Sequence, residues 1–328
     1  FSLHTLPFYG EHRVFGEVVV PAAGHLSLLL EAALVLHGQP ACQLANVIFP
    51  QPLILPSDGE RLVQLLVDNG SGARPFRLIS TSGGEAFDTH ATGTLQAETA
   101  PLLAPVSLAN AQAQCGAPLA EDFYQTIWQS HIDLGPSFRC ITRLARQGDQ
   151  ALATLVQGGS SIPRLQLYPG LLDSTLQVLA ALATLDPSEA VIPFSIERLV
   201  YHGAPAAVRW WSHVSRRPND DPAIVMADVR LWGETASGET QLVAELAGFQ
   251  ARRVQRDSLL RELRRGYGDD LYQVEWQPYA PAPSVAAGPL TAGQWLVIPD
   301  GHGRAAALAR QQGLTAVIAT PEDLASQL

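Results

Sequence analysis

Ala22-Ala-Gly-His-Leu-Ser-Leu-Leu-Leu-Glu-Ala-Ala-Leu-Val-Leu-His-Gly38 is a run of helix formers, apolar on nearly every face and closed by a glycine. Such a segment predicts a helix that stops at Gly38 and lies buried rather than along a surface. Strand-like runs follow at 44–55, 61–68, 74–80 and 86–96, separated by turn residues. One buried helix followed by several antiparallel strands predicts a sheet wrapped around that helix, an α+β layer. The layout then recurs. Residues 122–131 read as a short helix, 138–146 and 150–157 as strands, and 169–185 as a second apolar helix. Further strands are expected at 196–203, 207–216, 223–233 and 240–254. Residues 97–121, rich in Ala, Pro, Leu and Gln with few charges, read as an ordered linker between the halves. No residue-level repeat accompanies the shared layout, so the expectation is a pseudo-symmetric pair of similar folds.

Composition removes whole classes of function. With 328 residues and 47% hydrophobic content the chain has material for one large domain or two ordinary ones. No segment reaches the roughly 18 uninterrupted apolar residues of a membrane span. Phe1-Ser-Leu-His-Thr-Leu6 lacks the basic and apolar regions of a signal peptide. Cys42, Cys115 and Cys140 are too few and too scattered for a disulfide framework or a zinc site, so a cytoplasmic setting is expected. A formal charge of −10 argues against nucleic acid as a partner. All 21 positive side chains are arginine, which excludes a Walker A phosphate loop and a lysine Schiff base. Neither an H-E-x-x-H zinc helix nor a G-x-S-x-G elbow is present.

Three places carry chemistry. His12-Arg-Val-Phe-Gly16-Glu-Val-Val-Val-Pro21 sets a histidine into a β-branched run that reads as strand, with Gly16 leaving room for close approach and Pro21 ending the ladder before the helix. A histidine held there is suited to moving a proton near neutral pH. Tyr168-Pro169-Gly-Leu-Leu-Asp173-Ser-Thr-Leu-Gln177 opens the second helix, with Pro169 at its start and Asp173 and Gln177 on one face. Burial would raise the aspartate's pKa and the helix N-terminus would lower it, so a proton-donor role requires that burial win. Leu134-Gly135-Pro136-Ser137-Phe138 is by itself a turn signal.

These motifs resemble the dehydratase domains of modular polyketide synthases, which are two hotdog folds fused in tandem. His12, Gly16 and Pro21 match the family's H-x3-G-x4-P; Asp173 and Gln177 match its D-x3-Q/H; Gly135, Pro136 and Phe138 match its Y-G-P-x-F. His90-Ala-Thr-Gly93 and Pro193-Phe194-Ser195 are similar to further landmarks. Two residues depart from the pattern: Leu134 stands where tyrosine is usual and Tyr168 where histidine is usual. The resemblance, covering roughly 1–257, implies an N-terminal hotdog over 1–96, a linker over 97–121 and a C-terminal hotdog over 122–257. It implies a hydro-lyase that removes water from a β-hydroxyacyl thioester, with His12 as base, Asp173 as acid and Gln177 orienting the acid or the hydroxyl. A backbone N–H near the start of the first helix, between Gly16 and Ala23, would polarise the thioester carbonyl. Gly16, Pro21, Leu134, Gly135, Pro136, Phe138 and Tyr168 would shape the substrate tunnel. No metal or organic cofactor is implied. The expected partners are a phosphopantetheinyl acyl carrier protein, the other synthase domains and a second copy of the chain. A double-bond-shifting isomerase or a cyclase could occupy the same scaffold, as could a non-catalytic hotdog module.

The remaining features carry less. His90 reads as structural, and His4, His25, His37, His131, His202, His213 and His302 read as ordinary. Arg252, Arg253, Arg256, Arg261, Arg264 and Arg265 form either a solvated face or a dock for an acidic carrier. Residues 258–328 read as a post-dehydratase linker and the truncated start of a neighbouring domain: Leu271-Tyr-Gln-Val-Glu-Trp276 resembles the first strand of a ketoreductase-type structural region, or of the related segment that precedes a methyltransferase. The strand at 294–300, helix at 302–312 and strand at 314–319 then make one βαβ unit. Gly301-His-Gly303 lacks the full dinucleotide fingerprint, so no NADPH site is expected.

Overall fold

The computed structural model describes residues 1–81, 87–97, 102–116, 123–129, 131–158, 165–183 and 189–255, and beyond them 295–297, 307 and 316–318. The chain divides into two units, Phe1–Asp269 and Asp270–Leu328. The first unit opens with the strands β1 (His12–Val14) and β2 (Glu17–Val20), the helix α1 (Ala22–His37), and the strands β3 (Cys42–Ile48), β4 (Leu53–Ile54), β5 (Leu62–Val67), β6 (Arg74–Thr81) and β7 (Asp88–Gln96). Two short helices, α2 (Leu108–Cys115) and α3 (Phe123–Gln129), lead to β8 (Ile132–Leu134), β9 (Ile141–Gln147) and β10 (Gln150–Leu155). The helix α4 (Pro169–Gln177) precedes the long strands β11 (Glu189–Tyr201), β12 (Ala207–Arg217), β13 (Ile224–Thr235) and β14 (Thr240–Gln255).

Ten strands form one antiparallel sheet in the order β5-β6-β7-β3-β11-β14-β13-β12-β10-β9. The halves meet edge to edge at β3 and β11, with Leu44 opposite Leu199. Each half wraps its sheet on a central helix, and α1 packs on α4. This is the tandem hotdog arrangement expected from the sequence. Leu26, Leu29, Leu30 and Ala33 of α1 share a core cluster with Leu171, Leu172 and Leu176 of α4. Gly38 ends α1 in the left-handed conformation at φ 68°, and its N–H returns to the Leu34 carbonyl. A smaller sheet, β4-β2-β1-β8, crosses between the halves and holds the first motif.

Several elements differ from the pattern read off the residues. The run 44–55 is two strands in different sheets, because Pro50 and Pro52 cannot donate to a ladder. The segment 97–121 contains α2, capped by Ser107 and packed through Leu108, Ala111 and Cys115 on Ala145, Leu152 and Trp232. The second helix ends at Gln177 and tightens into a 3-10 turn over Val178–Ala181. The first strand after the Gly-Pro turn begins at Ile141 rather than 138, since Pro136–Phe138 form a 3-10 turn. β11 begins at Glu189, accommodating Pro193 at a register shift. In the second unit, β15 (Trp295–Val297) and β16 (Ala316–Ile318) pair in parallel, and Ala307 between them is helical. The readings at 271–276 and 301–303, and Arg256, Arg261, Arg264 and Arg265, lie outside the described residues. Among the described residues no helix is long and apolar enough to cross a membrane.

Candidate active site

His12 sits on a hairpin rather than on one continuous strand. Phe15 and Gly16 turn the chain at φ 50° and 88°, bringing β2 back antiparallel to β1. Two central residues at positive φ give the turn whose twist suits adjoining strands, and a glycine is the natural second residue. A Cβ on Gly16 would meet nothing within 4 Å, so its requirement is conformational and does not reflect a close approach. The returning strand presents the Val19 carbonyl to Nδ1 of His12 at 2.8 Å. A carbonyl only accepts, so Nδ1 carries the proton and the neutral ring keeps its lone pair on Nε2. The ring's edge rests against Phe138, centroids 5.2 Å apart.

Asp173 comes from the other half. It is 7% exposed and His12 is 8% exposed, and Nε2 of His12 lies 4.0 Å from Oδ2 of Asp173. Burial pushes the aspartate's pKa up, while His12 and the Gln177 amide oppose the shift without cancelling it. Gln177 Nε2 donates to Asp173 Oδ2 at 2.6 Å and to the Phe138 carbonyl at 3.0 Å. Ser174 ties α4 to the same turn, donating to the Phe138 carbonyl and accepting from the Cys140 N–H. The acid is therefore held by the Gly-Pro turn as well as by its own helix.

Two cavities meet at this pair, each lined by His12, Val14, Asp173, Ile192 and Pro193. The smaller, of about 110 Å³, is walled by Leu134, Leu176, Gln177 and Phe249. The larger, of about 440 Å³, runs past Pro21, His25 and Gln51 to Arg252 and Arg253. Of the residues expected to shape a tunnel, Leu134 and Pro21 line these walls; Leu134 is also the ladder partner of His12. Gly16, Gly135, Pro136, Phe138 and Tyr168 do not. Phe138 stands against His12 and Tyr168 is the N-cap residue of α4 beside Phe8, while Gly16 and Pro136 are exposed turn residues. His90 is buried with Ser80 and the Gln51 carbonyl on its two nitrogens. Among the described residues no His, Cys, Asp and Glu cluster is arranged to hold a metal.

Two supporting residues give no sign of their role in the sequence. Glu11 accepts the Gly135 N–H on its carbonyl at 2.7 Å and the Ser137 N–H on its carboxylate at 2.6 Å, stapling β1 to the turn. A Cβ on Gly170 would collide with the Ser137 carbonyl, so α4 approaches the turn as closely as backbone allows. Both roles depend on partners far along the chain.

The family model described as polyketide synthase dehydratase domain matches residues 1–81, and that described as polyketide synthase dehydratase N-terminal domain matches 103–261. The dehydratase domain from the CurJ module of the curacin polyketide synthase is 30% identical, with a TM-score of 0.70, over 78% of this chain and 90% of that one. The chain belongs to the polyketide synthase dehydratases. Its activity is dehydration of β-hydroxyacyl intermediates. A phenolphthiocerol/phthiocerol polyketide synthase of Mycobacterium tuberculosis is 28% identical over 90% of the chain. Mycoketide-CoA synthase of the same species is 28% identical over 87% of it. The dehydratase spans 16% and 7% of the lengths of these two relatives.

Proposed function

We propose that His12 is the base, Asp173 the acid and Gln177 the residue that orients the acid, acting on a β-hydroxyacyl thioester delivered by an acyl carrier protein. The observation that carries this is the 4.0 Å approach of His12 Nε2 to Asp173 Oδ2 where both cavities meet. Nε2 takes a proton from the α-carbon, which the thioester acidifies. The C–H electron pair becomes the new α,β double bond. The β C–O bond breaks as Asp173 gives its proton to the hydroxyl, which leaves as water. Return of the proton from His12 to Asp173 restores both groups. Because Gln177 donates to Oδ2, the transferable proton belongs on Oδ1, and the unpartnered Oε1 of Gln177 can accept from the substrate hydroxyl.

The same reading takes 1–96 and 122–257 as the two working halves joined by 97–121, in a cytoplasmic synthase that pairs as a homodimer. Arg252 and Arg253, on the larger cavity, are the described members of the basic run proposed to face the acidic carrier. The His-to-Phe mutant of the CurJ dehydratase is inactive. The same replacement is the first test here. Incubation with a carrier-bound β-hydroxyacyl thioester should remove one water by mass spectrometry and add enoyl thioester absorbance. His12→Phe and Asp173→Asn should each slow this by about 10²–10⁴-fold with circular dichroism unchanged. Full turnover by either variant refutes the assignment.

A further inference from the structure

We propose that His25 is a positioning residue of this site, its imidazole hydrogen-bonding a polar atom of the bound thioester inside the larger cavity. The inference rests on the dehydratase reading above. His25 stands one turn into α1, is 3% exposed, and lines the cavity that holds His12 and Asp173. Its Nδ1 is buried with no hydrogen-bond partner among the described residues. The neighbouring rings are Phe49 and His90, each 6.2 Å away between centroids. His90 has both nitrogens satisfied; His25 does not share in that arrangement.

Burial, and then the nearby His90, push the His25 pKa down to about 3, so the ring is neutral under working conditions. A neutral imidazole offers one donor and one acceptor. Leaving Nδ1 unpaired in a buried site is costly, and the adjacent inward positions of α1 are leucines that carry no such cost. A structural role would need a protein partner for the ring. The cavity supplies the other kind of partner. Two parts of a carrier-bound substrate present the required chemistry: an oxygen substituent on the acyl chain beyond the β-carbon, and an amide of the phosphopantetheine arm.

The test compares wild type, His25→Phe and His25→Gln in the full chain. The substrates are a carrier-bound β-hydroxyacyl thioester with a plain alkyl chain, one with a further chain oxygen, and the plain chain on N-acetylcysteamine. Phenylalanine fills the space and removes both polar atoms, so melting temperature should hold or rise. Its kcat/KM should fall about tenfold, mainly through KM, with His25→Gln recovering much of the loss. A loss confined to the oxygenated chain assigns the contact to that oxygen. A loss on both carrier substrates that shrinks on N-acetylcysteamine assigns it to the arm. If wild type turns over while His25→Phe stays within about twofold on all three, the positioning role is refuted and the dehydratase reading stands. If wild type removes no water, both fall.

Discussion

An aspartate can serve as an acid near neutral pH only if its surroundings disfavour its charge more than its neighbours favour it. At Asp173 burial dominates, and His12 and the Gln177 N–H pull the other way. Removing the Gln177 donor as Gln177→Leu should therefore raise the Asp173 pKa further. The alkaline limb of the kcat/KM profile, set by loss of that proton, should move up. The maximal rate should fall, since the carboxyl loses its tether to Phe138. A limb that moves down, or stays in place, would show that Asp173 is not the group titrating. His12 and Asp173 were legible because each is a polar residue in an apolar run at a motif's spacing. Glu11 and Gly170 were not, since their partners Gly135 and Ser137 come from another part of the chain. His25 read as ordinary because a lone histidine on an apolar helix carries no sign of whether its nitrogens are paired.

At the scale of elements, the hairpin and the Gly-Pro turn hold the pair in register, and they need glycine for different reasons. Gly16 has open space and a φ of 88°. Gly16→Ala should cost about 1–2 kcal/mol through conformation alone, and Gly16→Asn less, because asparagine tolerates the left-handed region. Gly135 has an ordinary negative φ, but a Cβ there would lie 2.7 Å from Cβ and Oε2 of Glu11. Gly135→Ala should cost about 1–3 kcal/mol and displace the residue next to His12, lowering kcat as well. Urea denaturation and turnover measured on all three variants check this; equal behaviour of Gly135→Ala and wild type would remove the staple. Helix α1 was readable to within a residue from its apolar run and terminal glycine. The break at Pro50 and Pro52 was hidden inside a run of strand formers, and α2 lay in a segment whose weak periodicity resembled a linker. What makes α2 a helix is its contact with Ala145, Leu152 and Trp232, which local sequence does not contain.

Across the whole molecule the paired strands β3 and β11 make one sheet of two halves, a long-range pairing that a single sequence does not display. Within that shared core lie histidines whose neutral form is the folded form. Burial lowers His25 to about 3 and His213 to about 4, from an ordinary 6.5. Between these values and 6.5 the unfolded chain binds more protons than the folded one, so stability falls as pH falls. Each group's contribution is fully present above 6.5 and is lost as pH drops through the window, at up to about 1.4 kcal/mol per pH unit. Asp173 has the opposite sign. Its folded pKa is raised above 3.8, so its contribution is present below that value and lost as pH rises through the folded pKa. Urea midpoints for wild type should therefore decline as pH falls from 6.5 toward 4, the window of the two histidines. His25→Phe removes one of them and should flatten the decline without altering the midpoint above 6.5 by a comparable amount. A wild-type profile flat across that window would mean the buried rings take up protons in the folded state, and with them a partner that the neutral ring lacks.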